Sequence, residues 1–201
     1  VKYTVKEIFY SVQGEGVNLG RPAIFVRFAG CNLWSGREED RAKATCQFCD
    51  TDFLGGEPFV RPEDLARRVA LTGNSRFVVL TGGEPLLQVD TPLVSALRHY
   101  GFEIAIETNG TRPIPPQIDW VCLSPKAGTI LAIDTCDELK LVFPQKNLPP
   151  ERLDHIKTWH RWLSPMDGPH LRRNVAFAVD YAKQHPEWRV NIQAHKAWGV
   201  R

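Results

Sequence analysis

Three cysteines in the first quarter of the chain, Cys31, Cys46 and Cys49, form the pattern Cys-x14-Cys-x2-Cys. Thiolates in such a run bind zinc or an iron–sulfur cluster. A structural zinc site needs a fourth ligand at short spacing, and the nearest candidates are Asp50, Asp52 and Cys122, with no second Cys-x2-Cys and no His-x3-His. On a cubane cluster, three thiolates would leave one iron open, where a small molecule can bind and react. Further on, Thr81-Gly-Gly-Glu-Pro85 is a glycine-rich turn whose backbone can approach a charged ligand closely. Together the two motifs point to redox or radical chemistry. Cys122, inside Trp120-Val-Cys-Leu123, reads as a buried strand residue, and Cys136 has no evident partner.

The elements that must position these groups alternate between two periods. Ala23–Ala29, Phe77–Leu80, Glu103–Glu107, Asp119–Leu123, Glu138–Phe143, Arg161–Leu163 and Trp188–Ile192 read as strands. Pro62–Leu71 opens on proline and acids and exits at Gly73, which predicts a helix. Asp90 caps a second helix over Pro92–Tyr100, ended by Gly101, and Leu171–Gln184 has apolar residues at helical spacing. Strands alternating with crossover helices argue for an α/β fold with a parallel sheet. Three full helices for about six strands are too few for a closed eight-stranded barrel. The expectation is a partial, open parallel barrel in a single domain, residues 1–201, without repeat or linker.

Polar turn residues follow four of these strands: Gly82-Gly-Glu84, Thr108-Asn-Gly110, Ser124-Pro-Lys126 and Ser164-Pro-Met-Asp167. Any one alone could be a plain turn. Four at strand C-termini fall on the edge where parallel α/β folds bind ligands. Hydrophobic content of 43% and charged content of 24% are ordinary for a globular protein. A net charge of +2 and no basic stripe argue against nucleic acid. No run reaches the roughly 18 apolar residues of a membrane span. The start, Val1-Lys-Tyr-Thr-Val-Lys-Glu7, lacks the apolar core of a secretory signal, and five unevenly placed cysteines suit a reducing, cytoplasmic setting.

The loop with Gly-Cys-Asn-Leu-Trp34 before it and Cys-Gln-Phe-Cys-Asp-Thr51 at its end resembles the cluster loop of the radical S-adenosylmethionine (SAM) superfamily. Most members use Cys-x3-Cys-x2-Cys. Here Ser35 stands at the expected middle position, and Gly36 to Thr45 read as an insertion that moves the ligand to Cys46. The insertion is charged (Arg37, Glu38, Glu39, Asp40, Arg41) and is expected to be solvated, with Arg37 and Arg41 as candidate contacts for a reductase. Gly82-Gly-Glu-Pro85 is similar to the superfamily's Gly-Gly-Glu motif, whose backbone and Glu84 would hold the SAM amino group. One electron from a [4Fe-4S] cluster then cleaves SAM to methionine and a 5′-deoxyadenosyl radical.

Glu7-Ile-Phe-Tyr-Ser-Val-Gln-Gly-Glu-Gly16 and Arg21-Pro-Ala-Ile-Phe-Val-Arg27, with Glu-Thr-Asn-Gly110 and Ser-Pro-Lys126, narrow the resemblance to the 7-carboxy-7-deazaguanine synthase family of queuosine biosynthesis. That resemblance implies a lyase that takes 6-carboxy-5,6,7,8-tetrahydropterin to 7-carboxy-7-deazaguanine. Hydrogen abstraction starts a ring contraction that releases ammonia, with magnesium assisting and no side chain as general acid or base. It implies cluster ligands Cys31, Cys46 and Cys49, and Thr51 on magnesium. Val12, Gln13, Gly14, Glu15, Arg27 and Thr81 would bind substrate, Arg27 by its planar fork on the carboxylate. His195 and the last residue, Arg201, would meet the pterin's amino edge. Phe48, Cys49, Asp50, Gly83 and Glu84 would hold SAM, with Ser124, Pro125, Lys126, Ser164, Pro165, Met166 and Asp167 around its ribose and carboxylate. Glu107, Thr108 and Asn109 are secondary candidates. An electron donor such as flavodoxin and a homodimer are implied as well.

Read without the family, Arg27 could be a surface ion pair, Thr51 a turn residue and His195 a packed histidine. Two other readings compete as wholes. A glycyl-radical-enzyme activase would share the chemistry but act on a protein, with no reason to keep Arg27 or Thr51. A zinc-held binding module would use the thiolates structurally.

Overall fold

A computed structural model of the chain describes residues 2–200. One nine-stranded sheet runs through it in the order β3-β1-β2-β4-β5-β6-β7-β8-β9. The strands are β1 (Tyr3–Val12), β2 (Pro22–Phe28), β3 (Glu57–Phe59), β4 (Phe77–Gly82), β5 (Glu103–Thr108), β6 (Trp120–Leu123), β7 (Glu138–Phe143), β8 (His160–Pro165) and β9 (Trp188–Val190). From β2 to β9 every pairing is parallel, whereas β1 runs antiparallel to both β2 and β3. The sheet ends at β3 on one side and β9 on the other, so it stays open. The expected partial parallel barrel is therefore present, with an antiparallel margin that the alternation of strands and helices did not anticipate.

The helices are α1 (Pro62–Ala70), α2 (Thr91–His99), α3 (Leu171–Gln184) and a short α4 (Ala194–Trp198). The first three match the sequence pattern, and α4 is additional. None is long and apolar enough to cross a membrane among the described residues. No helix joins β5 to β6 or β6 to β7. The first of these links carries Pro113, Pro115 and Pro116, whose missing N–H groups and ring clashes prevent a helix there.

Alternation along the strands sorts side chains between two faces. Ile24, Val26 and Phe28 of β2, Val78 and Leu80 of β4, Ile104 and Ile106 of β5, and Leu139 and Leu141 of β7 point outward into one buried core beneath α1, α2 and α3. The alternate residues face inward. Near the strand N-termini they are apolar: Phe9 stacks on Phe25 at 5.1 Å, packed with Phe77, Val79 and Ala105. Toward the C-termini the same face turns polar, with Arg27, Thr81, Glu107, Ser124, Lys140 and Ser164. A register shift in β1 between Val5 and Glu7 sets Glu7 opposite Arg27. Such a bulge re-aims side chains at the rim of a sheet.

Asp90 ties the N-terminal strand to the start of α2. It accepts the Leu93 N–H at 3.1 Å and the Tyr3 hydroxyl at 2.7 Å, and pairs with Lys2 at 2.8 Å. Burial would raise its carboxyl, but the bonds from Lys2, Tyr3 and Leu93 outweigh it and hold it below the usual carboxylate range. A depressed carboxyl contributes stability above its unfolded value of about 4 and loses it as pH falls through the folded value. Asp90→Ala is thus expected to cost about 1 kcal/mol at neutral pH. Asp90→Asn should keep the cap yet lose the acid-dependent part, which thermal melts between about pH 3 and pH 7 would resolve.

Candidate active site

The polar end of the inner face opens into a cleft of about 610 Å³. The loop after β2 forms one wall. Cys31, Cys46 and Cys49 all line the cleft, with Phe48, Asp50 and Thr51 beside them. The Cys46 and Cys49 thiols perturb each other: Cys46 draws the Cys49 thiol down to about 6, and Cys49 with burial pushes Cys46 up. Among the described residues no three His, Cys, Asp or Glu side chains converge on a point as ligands of one ion. Ser35 is engaged elsewhere: it donates to Asp40 at 2.6 Å and accepts the Arg37 N–H at 3.2 Å, capping the insertion. The insertion itself is a 3₁₀ turn, Glu38–Lys43. As expected it is solvated, with no buried residue in the turn. Within it Arg41 lies 4.1 Å over the Trp34 ring and donates to the carbonyls of Gln47 (2.9 Å) and Cys49 (3.0 Å), bracing the loop that carries two of the thiols.

The Gly82-Gly-Glu-Pro85 turn has a different logic from the one its composition suggests. A Cβ at Gly83 would sit 2.1 Å from the Gly30 carbonyl oxygen, and one at Gly82 (φ +135°) 2.3 Å from that of Phe28. Glycine is required here because the turn presses against the end of β2, where Glu84 N–H also bonds the Gly30 carbonyl at 2.9 Å. Gly82 and Gly83 do line the cleft. Glu84 does not. Its fully buried carboxylate accepts from Leu86 N–H (3.0 Å), Thr108 Oγ1 (2.7 Å) and Asn109 N–H (2.7 Å). Burial raises this carboxyl and those three donors oppose the rise. Glu84, expected from the motif to pair with a ligand ammonium, forms a brace between the ends of β4 and β5.

Beyond β6, Lys126 points into the cleft and donates to the Ser124 carbonyl (2.5 Å) and hydroxyl (2.8 Å). Burial lowers its ammonium, and the nearby Cys46 and Cys49 sulfurs and the Glu84 carboxylate pull the other way. Ser164, Pro165, Met166 and Asp167 line the far wall, whereas Pro125 does not reach the cleft surface. α4 closes the mouth. Lys196 pairs with Asp50 at 3.0 Å and also with Asp167, joining the cysteine loop to the loop after β8.

The segment Val12-Gln-Gly-Glu-Gly16 supplies the floor. Val12, Gln13, Gly14 and Glu15 line the cleft. Gly16 (φ +67°) leaves no room for a side chain, since a Cβ would meet the Glu138 carboxylate at 2.4 Å. Glu138 in turn accepts the Val17 N–H at 2.9 Å and Trp120 Nε1 at 3.1 Å. Gly14 carbonyl accepts the Ala194 N–H at 3.0 Å, which seats His195 against the same loop. Arg27 is held through Nε by Glu7 at 2.8 Å, a geometry that suits its terminal pair to a second, planar carboxylate. Thr81 and His195 line the cleft as expected, and Arg201 lies outside the described residues.

Sequence reasoning missed Lys140, Glu7 and Lys196. Lys140 carried a usable signal: in Glu138-Leu-Lys-Leu-Val142 a charged residue alternates with leucines on a strand of a buried parallel sheet. Lys196 carried none, because its pairing depends on two loops distant in sequence. Removing the brace at Glu84 should cost folding stability. Glu84→Gln is expected to lose about 2 kcal/mol, or roughly 4–8 °C in Tm. Weaker SAM binding with an unchanged melt would instead assign Glu84 a direct contact with the ligand.

Comparison with known proteins agrees with this geometry. The profile of the radical SAM superfamily matches residues 41–138. The 7-carboxy-7-deazaguanine synthase of Bradyrhizobium diazoefficiens is 50% identical over 210 residues, covering 100% of both chains. That of Burkholderia multivorans is 53% identical over 206 residues, covering 96% of this chain and 97% of its own. The crystal structure of QueE from Escherichia coli superposes with a TM-score of 0.71 at 27% identity, covering 95% of this chain and 93% of its own. The chain belongs to the 7-carboxy-7-deazaguanine synthase family of the radical SAM superfamily.

Proposed function

We propose that this chain converts 6-carboxy-5,6,7,8-tetrahydropterin to 7-carboxy-7-deazaguanine with loss of ammonia. The observation that carries this reading is the meeting of two unlike sites in one cleft. Three thiols stand on one wall, and an arginine and two glutamates, Glu15 and Glu107, stand on the floor and facing strands. The residues present fit the implied groups. Cys31, Cys46 and Cys49 would hold a [4Fe-4S] cluster, since soft thiolate donors suit iron–sulfur ligation. When bound, the cluster and SAM supply one-electron radical chemistry at a substrate C–H bond.

The chain's own residues bind, orient and exclude water. Gly83, Phe48, Asp50, Ser124 and Lys126 would frame SAM, with Ser164 to Asp167 closing over it. Lys126, hydrogen-bonded to Ser124, places a cation beside the thiolate wall, where it favours an anionic group of the ligand. Lys196, bridging Asp50 and Asp167, keeps the cysteine loop and the last loop together over the site. Arg27, steadied by Glu7, would take the substrate carboxylate. Glu15, Gln13 and His195 would face the pterin's amino edge. Thr51 would give magnesium a hydroxyl oxygen, with waters and substrate completing the shell. Its neighbours Asp50 and Asp52 are paired to Lys196 and Lys6 (2.8 Å). The proposal extends to a flavodoxin-type donor, a homodimer and a cytoplasmic setting, which free thiols at all five cysteines support.

Anaerobic reconstitution with iron and sulfide, then reductant and SAM, tests the reading. The expected result is 7-carboxy-7-deazaguanine formed only when the pterin is present. Cleavage of SAM indifferent to pterin would reject it in favour of another radical SAM activity. Arg27→Gln should raise KM for the pterin by about tenfold or more, as loss of a charge-assisted pair costs 1.5–3 kcal/mol. The same variant should leave KM for SAM unchanged.

A further inference from the structure

Lys140 is the least expected residue of the cleft. It sits on the middle of β7, only 9% exposed, on the face that also carries Glu138 and Val142. Its Nζ lies 2.5 Å from Glu15 Oε2 and 3.8 Å from Glu107 Oε2. Glu107 also accepts from Gln13 Nε2 at 3.1 Å and from Thr81 Oγ1 at 3.4 Å. Gln13 accepts the Glu15 N–H at 3.1 Å, which closes a ring of Lys140, Glu15, Gln13 and Glu107. All four line the cleft.

We propose that Lys140 is a positioning residue: it holds the Glu15 carboxylate as an ionised acceptor and fixes it beside Glu107 at the cleft floor. Without that ammonium, burial of Glu15 would favour its protonated form. A protonated Glu15 would offer a donor where the ligand needs an acceptor. The ring therefore selects a substrate edge rich in N–H donors, such as an amino-pyrimidinone, and this deepens the function proposed above and rests on it. The other charged or titratable groups that face the ring are Cys122 on β6, Lys126 after it, Glu138 on β7 and His195 on α4. Glu138 is committed to Val17 N–H and Trp120 Nε1, and Lys126 to Ser124, so the ammonium in contact with the two carboxylates is that of Lys140. Burial would lower Lys140, but Glu107 and Glu15 raise it well above the ordinary lysine value. Burial would likewise raise Glu15, and Lys140 reverses the direction.

The test compares wild type, Lys140→Gln and Lys140→Arg as reconstituted holoenzymes. In Lys140→Gln, KM for the pterin should rise roughly tenfold at neutral pH. The defect should shrink as pH rises, because Glu15 loses its proton and returns as an acceptor; wild-type KM should stay flat over the same range. Lys140→Arg, which retains the charge, should keep a low and pH-flat KM. A Lys140→Gln defect equal at every pH, or no defect, would overturn the proposal. If Lys140→Gln does not fold, Lys140→Arg decides, and a tenfold rise in its KM would be fatal. Carbon-13 spectra of labelled glutamates give a readout free of substrate. Wild type should show the Glu15 carboxylate ionised at about pH 6, and Lys140→Gln the Glu15 carboxyl still protonated there. That signal separates failure of this inference from failure of the pterin reading.

Discussion

The inner face of the sheet is where the molecule is most constrained. Its outer side chains are apolar and buried under three helices, so the alternate residues on the same strands have no choice but to point inward. Near the strand N-termini these are aromatic and small residues that fill space. One or two steps further they are arginine, threonine, glutamate, lysine and serine. A buried polar surface persists only when its members satisfy one another. Glu7 with Arg27, Lys140 with Glu15, Gln13 with Glu107, and Lys126 with Ser124 do this in turn. The cleft is thus assembled from pairs that hold each other ready for a ligand rather than from isolated functional groups.

A second layer of constraint lies in the loops. Glu84 receives three donors from two chain segments and fixes the turn after β4 to the end of β5. Glu138 does the same for the Gly16–Val17 segment. Arg41 packs on Trp34 and draws the carbonyls of the Cys46–Cys49 turn together. In each case a charged side chain organises backbone around the site. Charge-assisted bonds to several backbone groups at once suit this task, being stronger and more directional than neutral ones.

The antiparallel strands and α4 complete the enclosure from outside the parallel core. β1 brings Val12 to Glu15 across the open side, and α4 returns the end of the described chain to the same loop through Ala194 and Gly14. Lys196 then spans two loops that the barrel leaves apart. These additions convert an open sheet edge into a bounded cleft.

Much of this was readable in the amino-acid sequence, for local reasons. Cysteine spacing, the glycine-rich turn and polar residues at four strand ends depend on short-range chemistry, as do the proline and aspartate that start α1 and α2. Most candidate residues, from Val12 to His195, do reach one cleft. What lay beyond the sequence were relations between distant segments. Whether Glu84 faces a ligand or the backbone depends on where Thr108 and Asn109 come to rest. Whether Arg41 is free depends on the path of the insertion over Trp34. Lys140 gains its meaning only when β7 is set beside the β1–β2 loop and β5. The sequence by itself determined the chemistry, the parallel sheet and its ligand-binding edge. Only the tertiary structure decided which charges bind one another and which remain for a ligand, because burial and pairing are properties of neighbours that the chain brings together by folding.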